Sequence, residues 1–475
     1  MDFISKRILL GSAGAGGEDY WVAFYLNQYV RVEQYSIDND NCRLAVDGLG
    51  NVAFRFKNDT TYIGGSEVYN IVKFDDTGSL IFQKKFNNID RYGDIKFDSQ
   101  NNLYFSYGSI YSNPSSFAQS VGLMKISSTG TITWQIAQGN TYQNHAGGRL
   151  AFDSSDNIYV ESKYDWTGND KWGFTKFNSS GTVQATKGTN FSISPNPNDI
   201  KIDSSDNIYV AGNTGNPYIS GTVAKLNSAF TLQWARNVSG PGENRITYAL
   251  ALDGSENILQ LTNGSHSGGQ AAHIQKWNSS GTLQWQKSVK GNANLPHFST
   301  GSIACDGSDN VYLGGTFTNS SGNIYGVIVK LNSSGAKVWE REVFFSDSAY
   351  NLKKTRVVDI VVKKNTLYVY GVGENTGNAQ ILPFVLKVPT DGSFTTPFPN
   401  GLTVNAQSPY LTSNMIFKYQ NFGGGTIVST ATDTIATPSV NFYNQSGLST
   451  ATTTRTPTNT VGTGGVSPIM DLDDL

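Results

Sequence analysis

The residues best placed to do chemistry are the acidic turns. DSSDN at 153–157 and at 203–207, and DGSDN at 306–310, hold two carboxylates three residues apart beside Ser and Asn. Such a cluster offers oxygen ligands to a hard cation, and calcium takes about six to eight of them. No distal bidentate Glu accompanies these segments. Asp and Asn also cap tight turns by accepting backbone hydrogen bonds, and that reading is favoured here. The four histidines, His145, His266, His273 and His297, show no metal-ligand spacing. HExxH, CxxC, Walker A and GxSxG signatures are absent from the sequence. No catalytic set, metal or cofactor is therefore expected, and the chain reads as a protein without enzymatic activity.

A second set of residues suggests recognition. Tyr111, Tyr164, Trp166, Trp172 and Tyr218 fall in segments rich in Asn, Ser and Gly that vary in length along the chain. Variable loops on a rigid scaffold are where binding concentrates, and aromatic rings among polar groups suit carbohydrate or protein. A covering role for the same loops is the competing reading.

The elements that position these groups repeat. The aspartates Asp47, Asp98, Asp153, Asp203, Asp253 and Asp306 are separated by 51, 55, 50, 50 and 53 residues. That period exceeds helical solenoid repeats and approaches the roughly 40–50 residues of a propeller blade. Each period holds two hairpin modules, such as IKIDSSDNIYV (200–210) followed by AKLNSAFTLQW (224–234). Two hairpins supply strands A to D of one blade. The expected fold is all-β: a propeller of seven four-stranded blades over 20–400, or eight if residues 20–37 and the C-terminal region add one. Trp134, Trp234, Trp285 and Trp339, with Phe82, recur in strand D and read as wedges between blades. Lys73, Lys125, Lys176, Lys225, Lys276, Lys330 and Lys387 recur in strand C. They are expected to lay their stems on apolar surface and keep the charge in water.

Net charge is −2, with 15% charged residues. No basic stripe points to nucleic acid, and no long apolar run points to membrane insertion. Cys42 and Cys305 lie in the first and sixth repeats, too far apart in the ring for a disulfide.

Both ends depart from the repeat. Residues 1–19 combine Phe3, Ile4, Lys6, Arg7, Ile8, Leu9 and Leu10 with the tether GSAGAGG, and read as a docking peptide separate from the propeller. Residues 401–475 are rich in Thr, Ser and Gly and end in an acidic tail, an extension of short strands or irregular chain.

Hairpins such as DSSDNIYV, each followed by a second hairpin, resemble the β-propeller repeats of bacterial and phage proteins, whose consensus is D-x-x-G-N-x-Y-V and then K-x-x-x-x-G-x-x-x-W, over about three quarters of the chain. RILLGSAGAGG (7–17) is similar to the N-termini of virion structural proteins of marine tailed phages, notably cyanophages. The resemblance implies a virion location: a rigid propeller held in several copies on tail or capsid by other virion proteins, with loops facing a host-surface glycan or receptor. The alternatives are a secreted or cell-surface propeller that binds glycan or protein, and a propeller enzyme, which would need convergent acid–base or metal residues.

Overall fold

The computed structural model describes the blades between residues 43 and 392, apart from short loop segments, and the strands at 4–10, 20–26, 402–404, 415–421, 427–430, 434–436 and 442–444. Every regular element among the described residues is a β-strand. The strands form seven antiparallel sheets, one per blade. Blade four is representative, with A at Pro197–Ile202, B at Ile208–Thr214, C at Ser220–Leu226 and D at Leu232–Ser239. Val, Ile, Tyr and Phe line these strands because β-branched and aromatic side chains suit a pleated, packed surface.

A blade has two apolar faces, and stacking against both neighbours buries them. The cores accordingly lie between blades. One joins blades one and two through Ile71, Phe86, Leu103, Phe105 and Met124. Another joins blades five and six through Leu259, Ile274, Phe298, Leu313 and Val329. The wedge reading of the strand D aromatics holds. Trp234 packs on Gly281 of the next blade's C–D turn and donates from Nε1 to the Ser279 carbonyl at 3.0 Å. That glycine has φ +77°, and a Cβ there would stand 2.6 Å from the indole. Phe82 on Gly130, Trp134 on Gly181 and Trp339 on Gly392 repeat the arrangement. One junction inverts it. Blade three has Ala185 at the wedge position, and blade four has Phe230 at the turn position, with φ 64°. The Phe230 ring reaches back to Phe174 at 5.4 Å and Tyr159 at 6.1 Å.

Blade seven is closed by the N-terminus. Thr355–Lys363, Thr366–Asn375 and Gln380–Pro389 supply A, B and C, and Tyr20–Leu26 supplies D. The ring therefore has seven blades, and residues 20–26 complete the last one instead of starting an eighth. Ile4–Leu10 pairs with Tyr20–Leu26 as a further outer strand, with Lys6 opposite Phe24 and Arg7 opposite Ala23. The backbone at 4–10 thus belongs to a propeller sheet, which corrects the expectation of a detached peptide there. Phe3 lies outside the described residues.

The C-terminal strands form no blade of their own. Met415–Asn421 pairs with strand D of blade six and Ile427–Thr430 with that of blade five. Thr434–Ala436 pairs with strand D of blade four and Phe442–Asn444 with that of blade three. The chain runs backward around the outside of the ring, adding two strands to blade six, where Leu402–Val404 pairs outside Met415–Asn421, and one each to blades five, four and three. An uncovered edge strand is a template for aggregation, and this belt covers four of them.

Candidate functional site

The seven A strands stand side by side around a central channel. A cavity of about 310 Å3 fills it and is lined by residues from every blade. Taken four residues before the first residue of each A–B turn, the wall reads Arg43, Asp94, Arg149, Asp199, Ala249, Ser302 and Asp359. Strand residues two apart share a face, and two residues further along stand Lys96 and Lys201. Four cations against three carboxylates leave the wall at +1.

The carboxylates are committed to the ring itself. Asp94 accepts from the Ile95 amide at 2.9 Å and from the Leu150 amide of the next blade at 3.1 Å. Asp199 does the same with Ile200 at 2.9 Å and Leu250 at 2.7 Å. Asp359 accepts from Ile360 and Leu44, both at 2.9 Å, and from the Ser302 hydroxyl at 2.6 Å. Each one stitches its blade to the following blade. Arg149 bridges blades three and four by donating to the Asn198 carbonyl at 2.9 Å, and Arg43 stands 3.9 Å from Asp94.

The two lysines differ. Lys201 donates to both oxygens of Asp199 at 2.6 Å. Lys96 makes no ion pair or hydrogen bond with the described residues and is half-buried on the channel wall. The Asp94 carboxylate, opposed by burial and aided by the more distant Asp199 and Asp359, holds its ammonium above the usual lysine range. It is a charged donor facing the cavity. Tyr248 lines the same cavity, at a point where strand A of blade five slips register between Thr247 and Ala249. A bulge of this kind re-aims a side chain.

The acidic turns are a second, separate ring. Asp153 accepts from the Ser155 and Asn157 amides, the Asn157 side chain and the Tyr159 hydroxyl, and Lys176 stands 2.9 Å away. Burial raises the Asp153 pKa, but the Lys176 and Asn157 hydrogen bonds outweigh it and leave the carboxyl below its ordinary value. Asp47, Asp98, Asp203, Asp253 and Asp306 pair in the same way with Lys73, Lys125, Lys225, Lys276 and Lys330. The turn reading of the aspartates therefore stands. The strand C lysines are corrected: six of them are drawn into buried ion pairs instead of reaching water.

The remaining candidates do not converge. His273 is buried in blade five, His266 ends a strand of the same blade, His297 begins blade six, and His145 lies outside the described residues. No group of three or more His, Cys, Asp or Glu placed to hold a metal occurs among the described residues. Tyr164 and Trp166 lie on one strand of blade three and Trp172 on its neighbour, with Lys163 opposite Trp172. Tyr111 and Tyr218 lie outside the described residues. The sequence reading missed the channel, although a signal was available: Arg43, Asp94, Arg149 and Asp199 alternate in charge at one repeat position.

No family model matches the sequence, and no curated protein resembles it in sequence. Among solved structures, an ulvan lyase of a polysaccharide lyase family is similar at 8% identity, over 81% of this chain and 96% of that one, with a TM-score of 0.48. A second polysaccharide lyase matches at 8% identity, over 77% and 93%, with a TM-score of 0.48. Sqt1 from Chaetomium thermophilum matches at 11% identity, over 81% and 88%, with a TM-score of 0.41. The expectation of a virion structural protein without enzymatic activity is corrected: no phage or repeat family matches, and the similar propellers include enzymes. At these identities and TM-scores the likeness fixes neither activity nor substrate.

Proposed function

We propose that the central channel binds an acidic, hydroxyl-rich saccharide and that the chain is an enzyme acting on it, of the lyase class. The observation that carries this reading is Lys96, an ammonium without a direct ion-pair partner on a half-buried channel wall whose other charges cancel, so that it alone leaves the wall positive. The nearby carboxylates keep it charged while their oxygens are spent on backbone amides, so its own donors remain for a ligand, and perturbed groups of this kind concentrate at functional sites. A sugar carboxylate beside Lys96 would complete the pair. Arg149 and Tyr248 stand on the same wall and carry donors suited to hydroxyls.

The carboxylates favour elimination over hydrolysis. Glycoside hydrolysis in most families needs two carboxyl groups free to act as acid and as base or nucleophile. Here Asp94, Asp199 and Asp359 each spend both oxygens on backbone amides. Elimination needs less. Neutralising the sugar carboxylate acidifies the adjacent C5–H. A base removes that proton, its electron pair forms the C4=C5 bond, and the C4–O bond breaks with protonation of the leaving oxygen. Lys96 is assigned the neutralising role, and Tyr248 the proton transfer at its phenolic oxygen. The test is incubation with glucuronate-containing oligosaccharides, read by the ultraviolet absorbance of the unsaturated product. Product with the wild type and none with Tyr248→Phe is expected. Absence of product across a panel of acidic oligosaccharides would overturn the lyase assignment.

A further inference from the structure

Blade seven breaks the rule of the turn ring. In six blades the strand C lysine meets the carboxylate of the A–B turn. In three of them the Tyr hydroxyl of strand B donates to the same carboxylate. Blade seven keeps the Lys and Tyr positions as Lys387 and Tyr368, which stand opposite each other as Lys176 and Tyr159 do. The carboxylate position is Lys363, paired across a tight turn with Thr366. The acceptor has been replaced by a third donor.

The consequences are local and electrostatic. Lys387 is only 6% exposed, and its Nζ donates to the Asp76 carbonyl of blade one at 3.1 Å. No carboxylate among the described residues lies within ion-pair distance of it. Lys363 donates to the Val46 carbonyl at 3.4 Å, and burial lowers its pKa while the Asp47 carboxylate opposes that shift. Lys363, Lys364 and Lys387 line a cavity of about 180 Å3 at the junction of blades seven and one. Asp76 is the one acidic residue on its wall, so the lining sums to 3 − 1 = +2. Gly48 and Gly50 also line it, their amides donating to Asn101 Oδ1 and to the Asp47 carbonyl.

We infer that this cavity is a binding site for a small oxyanion, which takes the place of the carboxylate that the other six blades supply from within. The shared chemistry is a sulfate, phosphate or carboxylate group, whether free in solution or carried by a larger molecule. The site is independent of the central channel, because none of its lining residues faces that channel.

The test is calorimetric titration of the full chain, at constant ionic strength, with sodium sulfate, sodium phosphate and a sulfated monosaccharide. A saturable site that Lys363→Asp weakens is expected, beside any binding in the channel. Tighter binding of the inorganic ion assigns the site to free anions, and tighter binding of the ester assigns it to a carried group. Lys363→Asp restores the internal carboxylate, so it should fold, melt at a higher temperature than the wild type in anion-free buffer, and bind anions at least tenfold more weakly. Lys337→Ala, at a surface lysine of blade six that lines neither cavity, should bind them as the wild type does. No saturable heat with any of the three ligands, or undiminished binding by Lys363→Asp, would overturn the inference.

Discussion

Two rings of lysine and aspartate circle the same axis, and they are built differently. In the turn ring six of the seven lysines have their own carboxylates, and each pair is enclosed. The Lys276–Asp253 pair is 2.6 Å long with side chains 7% and 0% exposed. In the channel ring the carboxylates hold backbone amides, the cations outnumber them, and Lys96 is left over. Charges that serve the fold are matched within the fold. Charges left unmatched are available to a ligand. Blade seven carries the same contrast into the turn ring, where Lys363 stands in the place of an acid.

The largest effect should come from breaking a matched pair. Asp253→Ala strands a buried ammonium, and removing one partner of a buried pair costs about 3–5 kcal/mol. Denaturant unfolding would read this as a lower midpoint at unchanged slope. The channel carboxylates should matter less, because each is one stitch among several. Asp94→Asn keeps one acceptor oxygen and weakens the bond to Leu150, at about 1.5 kcal/mol in the same assay. If it cost as much as Asp253→Ala, the division between enclosed pairs and channel clamps would fail.

The inverted junction sharpens the comparison at the level of packing. Phe230→Gly should cost about 1–2 kcal/mol, since part of the lost contact is offset by relief at a positive φ. Adding Ala185→Trp restores the arrangement of the other junctions and should recover most of that loss. A double mutant no better than Phe230→Gly alone would show that the two positions do not exchange roles.

The smallest effect is on pH dependence. Asp153 and Asp306 sit below their ordinary pKa in the folded chain. For Asp306 burial acts upward and is outweighed by hydrogen bonds from Asn310 first, then Tyr312 and Ser308. A depressed carboxyl contributes stability that is complete above its unfolded pKa of about 3.9 and is lost as pH falls through the folded value. The melting temperature should therefore fall below about pH 4, and Asp153→Asn should flatten that limb.

What could be read from the sequence was what repeats. The aspartate period and the Trp and Lys positions specify blades, strands and wedges because each copy solves the same packing problem. Ring closure was not legible. Tyr20–Leu26 carries no turn motif, and its pairing with Gln380–Pro389 spans most of the chain. The belt was illegible for the same reason: strands as short as Thr434–Ala436 have no amphipathic pattern that names a partner. The channel escaped notice because Arg43, Asp94, Arg149 and Asp199 occupy one repeat position with alternating charge, and attention to similarity passes over it. The expected absence of catalytic residues rested on searching for local motifs, whereas this wall takes one residue from each blade.

The channel as an anionic-ligand site is the central claim, and Lys96 is its most exposed point. Calorimetric titration of the wild type and Lys96→Ala with a glucuronate-containing oligosaccharide tests it directly. The account predicts saturable binding by the wild type, weakened at least tenfold, or about 1.4 kcal/mol, in a variant that melts within a few degrees of the parent. Equal affinity in the two proteins, or no binding by the wild type, would contradict it.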